Sequence, residues 1–117
     1  MKTILIVEDT EFNIDLLTQL LEEKYQLLVA RDGAESLLVT EKNKPDLILM
    51  DISLPVMDGY EAARQIHQRF ETLPIIGISS NAMKSDQERA IAAGCTDYLT
   101  KPIDEEILMK KLQEYLG

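Results

Sequence analysis

The sequence predicts an α/β chain: five strand–helix pairs forming an open parallel sheet with helices on both faces. Two observations carry this. Short apolar, β-branched runs alternate with longer amphipathic runs from end to end, and strands joined by helices must run parallel, with right-handed crossovers passing over the sheet. The polar, chemistry-bearing residues also recur just after the apolar runs, where such a sheet opens to ligands.

The first strand is Thr3 to Val7, followed by Glu8 and Asp9. Thr10 to Lys24 reads as a helix with Phe12, Leu16, Leu17, Leu20 and Leu21 on its inner stripe, capped by Thr10 or Asp9. Tyr25 to Ala30 is the second strand. Asp32-Gly33 makes a turn before a helix from Ala34 to Asn43, with Leu37, Leu38 and Val39 inward. Leu47 to Met50 is apolar throughout, as in a strand buried on both faces, and Asp51 sits one residue beyond it. Pro55 and Asp58-Gly59 punctuate a loop ahead of a helix from Tyr60 to Phe70, which turns Ala63, Ile66 and Phe70 inward. A fourth strand runs from Leu73 to Ile78 and meets Ser79 and Ser80. Lys84 to Ala93 is an Ala-rich helix closed by Gly94. Thr96 to Thr100 is a short fifth strand before Lys101-Pro102. Asp104 caps the last helix, Glu105 to Leu116, which buries Ile107, Leu108, Leu112 and Leu116.

The chain's 117 residues suit one domain spanning 1–117. At this size folding buries about two thirds of the unfolded surface, enough for a core without disulfides or metal staples. The single Cys95 has no internal partner and reads as a small buried residue, which fits a reducing compartment. No apolar run reaches membrane length, and Glu8 interrupts the N-terminal run too early for a signal peptide. The expectation is a cytoplasmic protein. A net charge of −9 without any Lys/Arg cluster argues against nucleic acid as a partner. His67 sits on a polar helix face with Arg64 and Gln68 and reads as a surface residue.

At the carboxyl ends of the strands stand Glu8-Asp9, Asp51, Ser79-Ser80 and Thr100-Lys101. If strands one, three and four are neighbours, three carboxylates, a hydroxyl and an ammonium share one crevice. Two carboxylates about 4 Å apart repel by about 4 kcal/mol at an effective dielectric near 20. A cluster of three therefore takes up protons or a cation. Oxygen ligands without nearby His or Cys select a hard ion, Mg²⁺ before Zn²⁺. Mg²⁺ retains waters and combines one or two carboxylates with phosphate oxygens, so the set suits a phosphoryl group beside a metal. Asp51 is the best-placed nucleophile. Lys101 can stabilise charge on the phosphoryl oxygens and the Ser79 hydroxyl can hydrogen-bond one of them.

Glu8-Asp9, the run from Pro45 to Asp51, Pro55-Val56-Met57-Asp58-Gly59, Ser79 and Tyr98-Leu99-Thr100-Lys101-Pro102 together resemble the receiver domain of two-component response regulators. The resemblance spans essentially the whole chain. It implies a flavodoxin-like (βα)5 sheet in the order 2-1-3-4-5; the family's chemotaxis member is itself a standard instance of that order, so the order comes from the resemblance. It further implies that Asp51 accepts a phosphoryl group from a histidine kinase or histidine phosphotransfer protein. Asp9 and Asp51 are then direct Mg²⁺ ligands, Glu8 acts mostly through water, and the Ser53 backbone carbonyl completes the protein ligands. Lys101 pairs with Asp51 at rest and with the phosphoryl group afterwards. Ser79 is the switch hydroxyl and Tyr98 the aromatic that changes rotamer with it. The Lys101-Pro102 bond resembles the family's cis peptide. The face of the fourth helix, fifth strand and fifth helix is the implied surface for a downstream protein.

Ser80 departs from the family's usual Ala. The positions two beyond Asp51 and two beyond Ser79, here Ser53 and Asn81, vary in the resembled family and tune phosphoryl lifetime there. The expected function is a stand-alone phosphorylation-dependent signalling switch that catalyses only its own phosphoryl transfer and slow autodephosphorylation. The start at Met1 and end at Gly117 favour a complete chain. A receiver module of a larger hybrid histidine kinase or multidomain regulator is the alternative, since the stretch from Glu8 to Asn13 resembles both kinds. An aspartyl-phosphate phosphatase is disfavoured because Ser53 replaces the acid two residues after its nucleophile. A flavin module is disfavoured because the acidic Glu8-Asp9-Thr10-Glu11 loop repels a cofactor phosphate.

Overall fold

The computed structural model describes residues 1–52, 54, 57–80 and 84–117. Ser53, Pro55, Val56 and Asn81, each singled out in the sequence, lie outside the described residues.

The five strands are β1 (Thr3–Val7), β2 (Gln26–Ala30), β3 (Leu47–Asp51), β4 (Ile75–Ser79) and β5 (Asp97–Thr100). The helices alternate with them: α1 (Glu11–Leu21), α2 (Gly33–Asn43), α3 (Gly59–Arg69), α4 (Lys84–Ala92) and α5 (Glu105–Leu116). All strand pairs are parallel and the order is β2-β1-β3-β4-β5, the expected flavodoxin-like arrangement. The Lys101-Pro102 peptide is cis.

Alternation along the strands divides the core in two. Leu5, Val7, Ile48, Met50 and Ile75 face one way and pack with α2, α3 and α4 through Leu37, Ala62, Ala63, Ile66 and Ala90. Ile4, Ile6, Leu47, Leu49, Ile76 and Ile78 face the other way and pack with α1 and α5 through Leu17, Leu21, Leu108 and Leu112. Each central strand is therefore apolar on both sides, which is why its sequence shows no polar alternation.

Three expected helix faces are corrected. In α1, Ile14, Leu17 and Leu21 are buried, whereas Phe12 is 74% exposed and Leu16 is exposed too. The i, i+3, i+7 set fits the sheet, and a stripe wide enough to include Phe12 turns past it. In α2, Leu38 is exposed while Ser36 and Thr40 are fully buried. In α5, Ile107 is exposed. The caps fall where short acids stand: Asp32, Asp58 and Asp104 accept from the N–H groups of Glu35, Glu61 and Ile107 at 2.8, 2.9 and 3.1 Å. Thr10 holds the N-cap position of α1 without a side-chain bond. Two boundaries also differ in a telling way. Asp51 and Ser79 are the last residues of β3 and β4, not residues beyond them.

Candidate phosphoryl-acceptor and metal site

The parallel register brings the strand ends together. Val7 pairs with Met50, and Asp51 pairs with Ile78. Glu8 follows β1 directly, and its N–H donates to the Ala30 carbonyl at 3.0 Å. Ser79 pairs with Thr100, and the Lys101 N–H donates to the Ser79 carbonyl at 2.7 Å. One edge of the sheet thus presents Glu8, Asp9, Asp51, Ser79 and Lys101.

Beneath Asp51 the chain must turn back closely. A Cβ on Gly59 would overlap the Asp51 carbonyl oxygen and the Ile52 Cα, and the Gly59 N–H donates to the Ile52 carbonyl at 3.2 Å. The Asp58-Gly59 pair therefore does two jobs. Asp58 caps α3, and Gly59 lets that helix start against the back of the acceptor strand.

One carboxylate oxygen from each of Glu8, Asp9 and Asp51 lies within 4.8 Å of the others, close enough to hold one metal ion. Glu8 and Asp51 are buried, and Asp9 is exposed at the mouth. Lys101 spans the two buried acids, with Nζ 3.2 Å from Glu8 Oε2 and 3.4 Å from Asp51 Oδ2. The other Glu8 oxygen accepts from the Thr10 N–H at 3.2 Å and from Asn13 Nδ2 at 3.4 Å.

Burial raises the Glu8 carboxyl pKa above the usual carboxylate range, and the Asp51 charge pushes it further; Lys101, the Thr10 N–H and Asn13 pull it back without cancelling the rise. Burial works to lower the Lys101 ammonium, but Asp51 and Glu8 outweigh it and the pKa is raised. The ammonium thus stays charged. Three clustered carboxylate oxygens, two of them from buried residues, fit a hard divalent cation such as Mg²⁺. An apolar recess of about 150 Å³, walled by Phe12, Leu16, Leu17, Ile78 and Pro102, adjoins Glu8 and Lys101 and shields that side of the pair.

Matching against known proteins decides the family. The response regulator receiver domain model matches residues 4–113. The chain belongs to the response regulator receiver family. This receiver is 38% identical to the polar-differentiation response regulator DivK of Brucella anthropi, over 99% of this chain and 97% of that protein. It superposes with a TM-score of 0.92 on the receiver domain of a sensor histidine kinase from Pseudomonas aeruginosa, solved with a magnesium ion coordinated in the active-site cleft. The two are 36% identical, covering 99% of this chain and 98% of that one. A two-component response regulator from Clostridium difficile gives a TM-score of 0.94 at 31% identity, over 99% and 96% of the two chains.

Of the residues singled out in the sequence, Glu8, Asp9, Asp51, Ser79 and Lys101 meet at this edge of the receiver. Tyr98 lies on β5 opposite Gly77, buried in the core. His67 is exposed and Cys95 is buried, as read from sequence. Burial pushes the Cys95 thiol up to about 12, which leaves it unreactive. Sequence reasoning paired Lys101 with Asp51 and missed the shorter contact with Glu8. It also missed Asn13, whose only signal was its place in the first turn of the helix that follows Glu8. No described helix is long and apolar enough to cross a membrane. A cavity of about 610 Å³ near Thr40, Pro45, Phe70 and Pro74 lies at the opposite pole of the sheet, so cavity size does not locate the chemistry.

Proposed function

We propose that this receiver is a signalling switch in which Asp51 accepts a phosphoryl group from the phosphohistidine of a histidine kinase or phosphotransfer protein. The observation that carries the reading is the Lys101 ammonium held between Glu8 and Asp51 beside the exposed Asp9. An Asp51 carboxylate oxygen attacks phosphorus, the P–N bond to imidazole breaks, and the imidazole leaves with that electron pair. Asp51 is suited to this because it ends a strand buried on both faces, so its carboxylate is held in place by the sheet.

Asp9 and Asp51 hold Mg²⁺ directly in this reading, with Glu8 acting through water and the Ser53 carbonyl as a further ligand. When bound, the ion neutralises charge on the phosphoryl oxygens. Lys101 leaves its resting place between two acids and pairs with the phosphoryl group, which carries more negative charge than the carboxylate it replaces. The Ser79 hydroxyl reaches a phosphoryl oxygen as donor, and Tyr98 on the adjacent strand follows it. A downstream protein reads the change on the face made by α4, β5 and α5. The chain turns over no external substrate in this scheme, only its own phosphoryl group.

The test is labelling with acetyl phosphate or beryllofluoride in the presence of Mg²⁺. Wild type is expected to label and Asp51→Asn to remain unlabelled. Equal labelling of the two proteins places the acceptor elsewhere.

A further inference from the structure

The helix beside the switch hydroxyl has little apolar surface to hold it. Within its span α4 buries only Ala90; Ile91 is exposed, and most other positions are charged or polar. An element with so few buried contacts has a low free energy of local opening unless something else ties it down.

The tie comes from α3. Tyr60, in the first turn of α3, is buried in the same core cluster as Ala90, Cys95 and Tyr98. Its hydroxyl donates to the Asp86 carbonyl at 3.4 Å. The Arg89 guanidinium carbon lies 4.1 Å above the centre of its ring, within cation–π range. One aromatic from α3 is thus gripped at two successive places along α4. The grip is also next to the site. Tyr60, Asp86 and Arg89 line a cavity of about 410 Å³ together with Asp58, Ser79 and Ser80.

We propose that Tyr60 and Arg89 form a latch that holds α4 against α3 in the resting protein and sets how readily the switch responds. The coupling to the switch rests on the reading of Asp51 as phospho-acceptor; the latch itself does not. The interactions seen here belong to the unmodified arrangement. Removing one of them raises the population of arrangements in which α4 has moved, and a phosphoryl mimic that prefers such an arrangement then binds more tightly. Tyr60 acts as a positioning residue and touches no reacting atom.

Hydrogen exchange of the full chain, without any phosphoryl mimic, tests the latch. Arg89→Ala is expected to speed exchange of the 86–92 amides by about two- to fivefold, with β1 and β3 amides unchanged. Tyr60→Phe keeps the ring under Arg89 and loses only the hydroxyl, so it is expected to give a smaller change in the same segment. Unaltered α4 exchange in Arg89→Ala overturns the latch. Beryllofluoride titration with Mg²⁺ tests the coupling: Arg89→Ala is expected to bind about two- to fivefold more tightly than wild type. Equal or weaker binding alongside faster α4 exchange leaves a purely structural tie and overturns the coupling. Wild type that takes up no beryllofluoride removes the coupling together with the Asp51 reading, while the exchange experiment still decides the latch.

Discussion

The Lys101 ammonium lies 3.2 Å from a buried Glu8 oxygen, closer than its 3.4 Å approach to Asp51. The lysine is therefore the resting counter-charge of two acids, and it competes with any divalent ion for both. Replacing it by an uncharged side chain of similar length separates the two roles. Lys101→Met is expected to bind Mg²⁺ several-fold more tightly, because the competing charge is gone. The same variant is expected to accept beryllofluoride poorly, because nothing replaces the ammonium beside the new group. Isothermal titration with each ligand checks both directions.

Asp9 stands exposed at the mouth of the cluster, so its side chain contributes little to folding. Asp9→Ala is expected to weaken Mg²⁺ binding by about tenfold or more without lowering stability, because it also removes one carboxylate from a cluster of three. Equal Mg²⁺ affinity in the two proteins, followed by NMR, removes Asp9 from the metal site.

Away from the site, Asp97 ties β5 to α5. Its carboxylate accepts from Lys111 Nζ at 2.9 Å, from the Tyr115 hydroxyl at 2.9 Å and from the Tyr98 N–H at 2.8 Å. Burial alone would raise its pKa, but the Lys111 hydrogen bond and the other two donors prevail and hold it below 3.8. The folded protein thus binds this proton more weakly than the unfolded chain. The resulting stability is fully present above the unfolded pKa and is lost as pH falls through the lower folded value. Asp97→Asn is expected to cost about 1–2 kcal/mol at neutral pH. Its urea midpoint is also expected to fall less than that of wild type between pH 5 and strongly acidic conditions.

Thr40 is fully buried on α2, and its hydroxyl has no hydrogen-bond partner among the described residues. Burying an unpaired hydroxyl is costly. Thr40→Val keeps the branched shape and removes the polar atom, so it is expected to raise stability by about 1 kcal/mol. A urea midpoint that does not rise shows that the hydroxyl is satisfied in solution.

Much of this was legible in one dimension, for identifiable reasons. A strand buried on both faces needs a continuous apolar run, so β1 and β3 announced themselves, as did the acids that follow or end them. Caps were half legible. Asp104 was recognised, but Asp32 and Asp58 were read as turn residues because Gly follows each, and a Gly inside a first helical turn gives no sequence signal of its own. The face of α1 was misread because Phe12, Leu16 and Leu20 sit at helical spacing with Leu17 and Leu21. Which side of a broad stripe meets the sheet is set by the helix's docking angle. The burial of Ser36 and Thr40 in place of Leu38 has the same origin.

The sequence by itself determined the five-fold alternation, the termination of strands in acids, a hydroxyl and a lysine, and through them the family. Those features are local: each follows from which residues a strand, a cap or a strand end accepts. Only the tertiary structure decided that Lys101 pairs with Glu8 as well as Asp51, that Asn13 supports Glu8, and that Tyr60 of α3 meets Arg89 and the Asp86 carbonyl of α4. These contacts join residues as far as 93 positions apart. Their existence depends on strand order, register and helix docking, which no single segment of the chain encodes.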